Sequence, residues 1–194
     1  MKNNTYLLNE IADIRTGCSF RAKLEPDSEG NALVVQLKEL SEKNKIDIST
    51  AVRINMPDIS ENYLLQKGDL VFRSRGMDST AAIMDITSNN IILSAPFQRI
   101  RLRDTMAIMP QYLLWYINNK EAQSYFSANK TGTSVSMIST AVLADLQVVI
   151  PPLEMQKQIV EISILSEREI ELQEELIRKK RLLTETVLLK TLDL

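Results

Sequence analysis

Ile150-Pro151-Pro152-Leu153-Glu154-Met155-Gln156 is where the chain changes character. From Leu153 to Leu194 there is no glycine and no proline, and Glu, Lys, Arg, Leu, Gln and Ile dominate, a composition that favours helix. A proline pair cannot stand inside a helix but is welcome at its first turn. The stretch therefore predicts a mixed globular unit over 1–150, a hinge at the prolines, and one helix over 151–194. That helix would be on the order of 60 Å long at about 1.5 Å per residue. So small a domain cannot cover it, and the expected cover is another helix.

The apolar residues of the helix say which kind. Leu165, Leu176 and Val187 recur at a step of eleven, as do Leu172, Leu183 and Leu194, and Ile159, Ile170 and Leu192 with Arg181 interrupting. An eleven-residue repeat lies close to the natural helical period and implies a nearly straight or slightly right-handed pair. Ile159, Leu165, Ile170, Leu172, Leu176, Leu183 and Val187 are the expected coiled-coil contacts. Glu167, Glu169, Glu171, Glu174 and Glu175 precede the basic block Arg178-Lys179-Lys180-Arg181. An antiparallel homodimer would set acidic block against basic block. The plainer reading is a solvated face with ordinary i,i+4 pairs.

Composition bounds the chemistry. The 194 residues are 44% apolar, enough for one core plus an appendage, and no run approaches the roughly 18 apolar residues of a membrane span. Met1 to Glu10 lacks the apolar core of a signal peptide, so the cytoplasm is the expected compartment. Cys18 is the single cysteine, which excludes an internal disulfide and a cysteine-based zinc site. There is no histidine. That removes the commonest general base and metal ligand and every Ser-His or Cys-His nucleophile. No phosphate-cradling glycine loop is present. No cofactor, no metal and no catalysis are expected, with a carboxylate-dependent enzyme as a remote alternative.

The net charge of −2 resolves on division: up to residue 150 the chain holds 16 basic and 16 acidic side chains, so the helix carries the deficit. Between Val71 and Arg103, Arg73, Arg75, Arg99, Arg101 and Arg103 face only Asp78 and Asp85. For phosphate binding, location of charge matters more than its total.

In chain order, Leu7 to Ile14 is a short apolar-periodic element, followed by the polar loop Thr16 to Lys23. Leu33 to Leu40 and Val52 to Ile54 read as strands, and Lys67-Gly68-Asp69 as a turn feeding the buried strand Leu70-Val71-Phe72. Ala81 to Ile86 and Ile91 to Leu93 flank Ser88-Asn89-Asn90 and predict a hairpin. Gln98 to Arg103 alternates, placing Arg99, Arg101 and Arg103 on one face at roughly 6.6 Å spacing. That face is either a phosphate ladder or simply a wet sheet face. Pro110 opens a helix carrying Leu113, Leu114, Trp115 and Ile117, with a second one through Phe126; Trp115 reads as packing. Asn129 to Ile138 is a hydroxyl-rich loop suited to phosphates and base edges, or a plain connection. Ser139 is placed to cap a short helix ending near Leu146, and Val148-Val149-Ile150 is the last strand.

Five landmarks now stand in order: Leu8…Ile11-Ala12-Asp13-Ile14…Thr16-Gly17, Lys67-Gly68-Asp69-Leu70-Val71…Arg75-Gly76, Pro110-Gln111-Tyr112-Leu113…Tyr116-Ile117, Gly132-Thr133-Ser134…Ile138…Leu143…Leu146, and Ile150 to Gln156. In order and spacing the chain resembles one target-recognition domain of the DNA-specificity subunits of type I restriction–modification systems. Each landmark is weak alone; together, with the long helix, they are specific and cover nearly the whole chain. They match the scaffold of that family rather than its reading surface.

The resemblance implies an α/β (α+β) target-recognition domain with a mixed or antiparallel sheet, followed by one long C-terminal coiled-coil helix. It implies a non-catalytic subunit that reads a half-site on double-stranded DNA and docks methyltransferase subunits, with a restriction subunit as a further partner. Family members look like two such units in one chain. A chain with its own Met1 and one helix is expected to be a half-size subunit that dimerises, or a truncated one. For DNA contact the residues themselves nominate Arg73 and Arg75 for guanine or phosphate and Lys130 for phosphate. Thr131, Thr133, Ser134 and Ser136 are nominated to position the backbone or read bases, and Arg21 and Lys23 stand in second rank. The competing expectation is a coiled-coil protein-interaction module whose globular part reads no bases.

Overall fold

Leu70-Val71-Phe72 (β5) is buried on both faces, which is why the sequence there runs apolar without alternation. In the computed structural model, which describes residues 4–20, 23–41, 44–76, 79–132 and 136–192, β5 lies inside a four-stranded antiparallel sheet. Its neighbours are β2 (Ala12–Thr16), β8 (Gln98–Leu102) and β6 (Ala81–Ile83), in the order β2-β8-β5-β6. A second sheet sets β3 (Ala32–Val35) between β4 (Val52–Ile54), antiparallel, and β7 (Ile91–Leu93), parallel. The third pairs β1 (Asn4–Leu7) with β9 (Gln147–Ile150). The expected mixed and antiparallel pairing is present, distributed over three small sheets.

Period two explains how the sheets stack. Val35 of β3 and Ile91 and Leu93 of β7 join Val71, Ala82, Met84 and Phe97 in one apolar cluster, while Ala32, Val34 and Ile92 point the other way to Cys18 and Ile54. The three-stranded sheet is thus buried on both faces. Over the far face of the four-stranded sheet lie α2 (Pro110–Asn118) and α3 (Lys120–Asn129); Phe126 meets Phe72 at 5.0 Å between ring centroids. Pro110 occupies the first turn of α2, and Tyr112, Leu113 and Ile117 form its buried face. Burial, with Tyr116 close by, pushes the Tyr112 phenol up to about 12, and its hydroxyl donates to Val149 O at 2.6 Å. Trp115 packs against the rings of Tyr112 and Tyr116. Asn118, which ends α2, clasps the N–H and C=O of Ala81, so edge strand β6 does not present both groups bare. Ser139 accepts from Val142 N–H and opens α4 (Thr140–Ala144).

Two expectations about connectivity change. The Leu7–Ile14 element is β1, a single helical turn α1 (Leu8–Ile11) and β2. The Ala81–Leu93 hairpin does not form: β6 pairs with β5, whereas β7 runs parallel to β3 in another sheet. Ser88-Asn89-Asn90 is a connection between sheets, and the apolar faces of Ile91 and Ile92 are satisfied by β3 instead.

The compact units are Met1–Gln156 and Lys157–Leu194. The sequence draws the boundary at residue 150; the first turn of helix α5 (Leu153–Thr191) stays with the globular unit because of Gln156. Gln156 is fully buried, accepts from Met109 N–H at 2.9 Å, and donates to Ala107 O and Pro151 O. Along the remaining helix, Leu165, Ile170, Leu172, Leu176, Leu183 and Val187 are all exposed. Lys179 pairs with Glu175, and Arg168 with Glu171, within the helix itself. No helix among the described residues is long and apolar enough to cross a membrane.

Candidate nucleic-acid interface

Four strands stop at one edge of the sheet. Thr16 lies opposite Gln98, Gln98 opposite Phe72, and Phe72 opposite Ala81. The segments that leave or enter there are Gly17–Phe20, Arg73–Gly76, Ser79–Thr80 and the turn Ser94–Phe97.

The turn is their common floor. Gly17 N–H donates to Phe97 O, Cys18 N–H to Leu93 O and Ala95 N–H to Cys18 O. A Cβ on Gly17 would sit 2.5 Å from the Ser94 carbonyl carbon, so only glycine allows this approach. Ser74 donates its hydroxyl to Pro96 O, and Ser94 donates its own to Val35 O at 2.8 Å.

Against this floor the structure joins two stretches nominated separately. Gly76 N–H donates to Ser136 O at 3.1 Å and Ile138 N–H to Ser74 O at 2.8 Å. Thr131 and Met137 exchange both backbone hydrogen bonds, at 3.0 and 2.8 Å. Gln98 holds the patch from beneath through Nε2 to Ile138 O. Gly76, at φ +108° with open space around its α-carbon, needs glycine for its backbone angle alone. Arg75, Lys130, Thr131 and Ser136 therefore share one small three-stranded patch. Thr133, Ser134 and Arg21 lie outside the described residues. Lys23 is exposed beside a separate cleft of about 380 Å³ lined by Phe20, Leu24 and Met56.

The arginines sort by partner. Arg73 donates to the carbonyls of Leu40 and Ser41 and so ties that backbone to the sheet edge, where Thr80 also bonds Asn44. Arg99 and Arg101 correct both expectations for their part of the face, where the guanidinium groups are engaged by the protein itself; Arg103, farther along, is exposed. The segment Glu61–Leu65 lies over it, and Leu64 O accepts from both guanidinium groups. Arg99 is 3% exposed and pairs with Asp13 at 2.8 Å; Arg101 makes a bidentate pair with Asp69, itself 2% exposed, at 2.7 Å to each oxygen. Burial pushes the Asp13 carboxyl upward, but hydrogen bonds from Arg15 and Arg99 together outweigh it and hold the group below its ordinary range. Desolvation, then repulsion from Arg101, lowers Arg99; the bond to Asp69 raises Arg101. Arg103 reaches Asn9 O, Arg53 reaches Gly30 O and Arg15 reaches Asp13. Among the described arginines of the globular unit, Arg75 alone makes no hydrogen bond or ion pair, and it is exposed.

Sequence reading missed Ser74, Ser94, Gln98 and Met137. Nothing in a serine or in an alternating Gln announces burial at a sheet edge, and Met137 reads as an ordinary loop residue. Among the described residues no group of three or more His, Cys, Asp or Glu side chains is arranged to hold a metal.

Residues 2–179 match the family model of the type I restriction modification DNA specificity domain. No curated protein matches the sequence. Among solved structures, the chain is similar to the HsdS subunit from Thermoanaerobacter tengcongensis, with TM-score 0.63 and 18% identity over 87% of this chain and 38% of that one. It is also similar to the S subunit of a type I restriction-modification system from M. genitalium, with TM-score 0.56 and 14% identity over 86% and 40%. A chain from a type I R-M system solved for complex assembly and conformational transition gives 0.60 and 19% over 87% and 39%. At these identities the likeness is one of fold. The chain spans about two fifths of the length of these relatives.

Proposed function

The chain belongs to the type I restriction modification DNA specificity family, and on that premise we propose that its globular unit reads a short half-site on double-stranded DNA through the patch at the sheet edge. The observation that carries this reading is Arg75: one exposed, uncommitted guanidinium on a backbone pinned at both sides, in a unit whose other described arginines are engaged. A planar fork of donors held this way suits a guanine edge or a phosphate. Lys130, Thr131 and Ser136 share the patch and supply charge and hydroxyls for the backbone; Thr133 and Ser134 are proposed beside them, with Lys23 and Arg21 peripheral. Arg73 ties down the neighbouring backbone at Leu40 and Ser41.

The chain itself is non-catalytic in this proposal. Methylation belongs to methyltransferase subunits docked on the helix, and cleavage to a restriction subunit. The exposed stripe Leu165, Ile170, Leu172, Leu176, Leu183 and Val187 supports pairing with a second copy, with Ile159 extending the series, and charge segregation favours the antiparallel sense. Two identical domains related by a two-fold axis read inverted copies of one half-site, so the target is an interrupted palindrome. Methylome sequencing of cells with and without the gene tests this: the expected result is loss of one interrupted palindromic motif. An asymmetric motif defeats the antiparallel dimer, and an unchanged methylome defeats the recognition role. In light scattering, Leu172→Glu with Leu183→Glu should give a folded monomer.

A further inference from the structure

Resting on that reading and going beyond it, we propose that Arg75, Met137 and Thr131 form one base-reading row in which Met137 is a specificity-determining residue: it fixes Arg75 on a single guanine. The register decides the geometry. The bonds Gly76 N–H to Ser136 O and Ile138 N–H to Ser74 O bracket Arg75 and Met137 as a non-hydrogen-bonded antiparallel pair. That is the pair type in which facing side chains come closest, with α-carbons about 4.5 Å apart. Thr131 and Met137 form the hydrogen-bonded pair on the other side. Cross-strand partners share a face, so the three side chains stand in a row with methionine in the middle.

Alternation says which face. Ser74 turns its hydroxyl inward to Pro96 O, and Ile138 is fully buried. Their neighbours Arg75 and Met137 therefore point outward. As the cross-strand neighbour of Arg75, Met137 is placed for its long apolar side chain to flank the arginine stem and narrow its freedom without competing for its donors. Pre-organisation of this kind matters little to a phosphate, which accepts from many directions. It matters for the two-bond fork to guanine O6 and N7.

The test is selection of a randomised duplex library by the full chain at low salt, with wild type, Arg75→Ala, Arg75→Lys, Met137→Ala, Met137→Leu and Lys130→Ala in parallel. Wild type should enrich a motif containing one invariant guanine. Arg75→Ala and Arg75→Lys should each lose about tenfold or more of the preference at that base pair alone, since lysine keeps the charge but not the fork. Met137→Ala should loosen the same base pair several-fold, Met137→Leu should restore most of it, and Lys130→Ala should weaken all duplexes alike. Thermal unfolding should be unchanged across the set, which separates reading from folding. Uniform loss of affinity in Arg75→Ala, with the motif intact, makes Arg75 a phosphate contact and overturns the row. A Met137→Ala motif identical to wild type overturns the role of methionine. A wild-type chain that enriches no sequence overturns the recognition function beneath the proposal as well.

Discussion

Arg99 and Arg101 on β8 and Arg75 at the sheet edge look alike in the sequence: arginines spaced by one residue beside an apolar strand. Their surroundings make them opposites. The β8 arginines lie under the Glu61–Leu65 segment and are tied to Asp13, Asp69 and backbone carbonyls. Arg75 stands on a pinned backbone with its guanidinium uncommitted. A buried cation must be paired or it destabilises the fold, so its chemistry is already fixed by its partners. An exposed cation without a partner costs the fold nothing and remains available. Counting basic residues between Val71 and Arg103 therefore overstates the charge that folding leaves uncommitted.

That contrast can be broken most directly at Asp69. Asp69→Ala leaves the Arg101 guanidinium half-buried without its bidentate partner and frees Gln66 N–H. Removing one member of such a pair should cost about 3 kcal/mol or more, read as a lowered urea midpoint. A loss below about 1 kcal/mol would mean that the covered face is not structural. Gln156→Leu probes another buried polar knot. It strips partners from Met109 N–H and from the carbonyls of Ala107 and Pro151, and should cost about 2 kcal/mol. Hydrogen exchange should locate the loosening at 104–109 and the first helical turn.

Acid titration sharpens the comparison further. The Asp13 carboxyl is held below its ordinary value of 3.8 in the folded chain. A depressed carboxylate contributes stability that is fully present above its unfolded pKa and lost as pH falls through the folded one. The contribution of this pair should therefore be intact at pH 5 and fade below about pH 3.8. Asp13→Asn should flatten that part of the stability curve. The smallest effect on folding belongs to the other arginine. Arg75→Ala should shift stability by less than about 0.5 kcal/mol while its effect on DNA binding is the largest of any single arginine.

Several elements were readable residue by residue. Pro110 at a first turn, Ser139 as a cap, Lys67-Gly68-Asp69 before a buried strand, and the glycine- and proline-free run after Pro152 are local signals, and each element formed where its signal stood. The strands between Ala81 and Leu93 were legible as strands but not as partners. Pairing is decided by distant residues: β3, almost fifty residues upstream of β6 in the sequence, captures β7. The candidate site was legible only as fragments. Arg75 and the Thr131–Ser136 stretch could each be nominated by residue type, yet their union through Met137 depends on backbone hydrogen bonds across about sixty residues, and the floor made by Gly17, Ser74, Ser94 and Gln98 on further backbone and side-chain bonds between segments far apart in the chain.

By itself the sequence determined the long helix with its apolar stripe and, through spaced landmarks, the family. Those rest on local conformational preference, on periodicity and on the order of short motifs, none of which needs a third dimension. Only the tertiary structure decided which arginine is available and which are committed. A guanidinium has the same charge in either place, and what separates the two is the carboxylates, carbonyls and covering chain that folding brings to it.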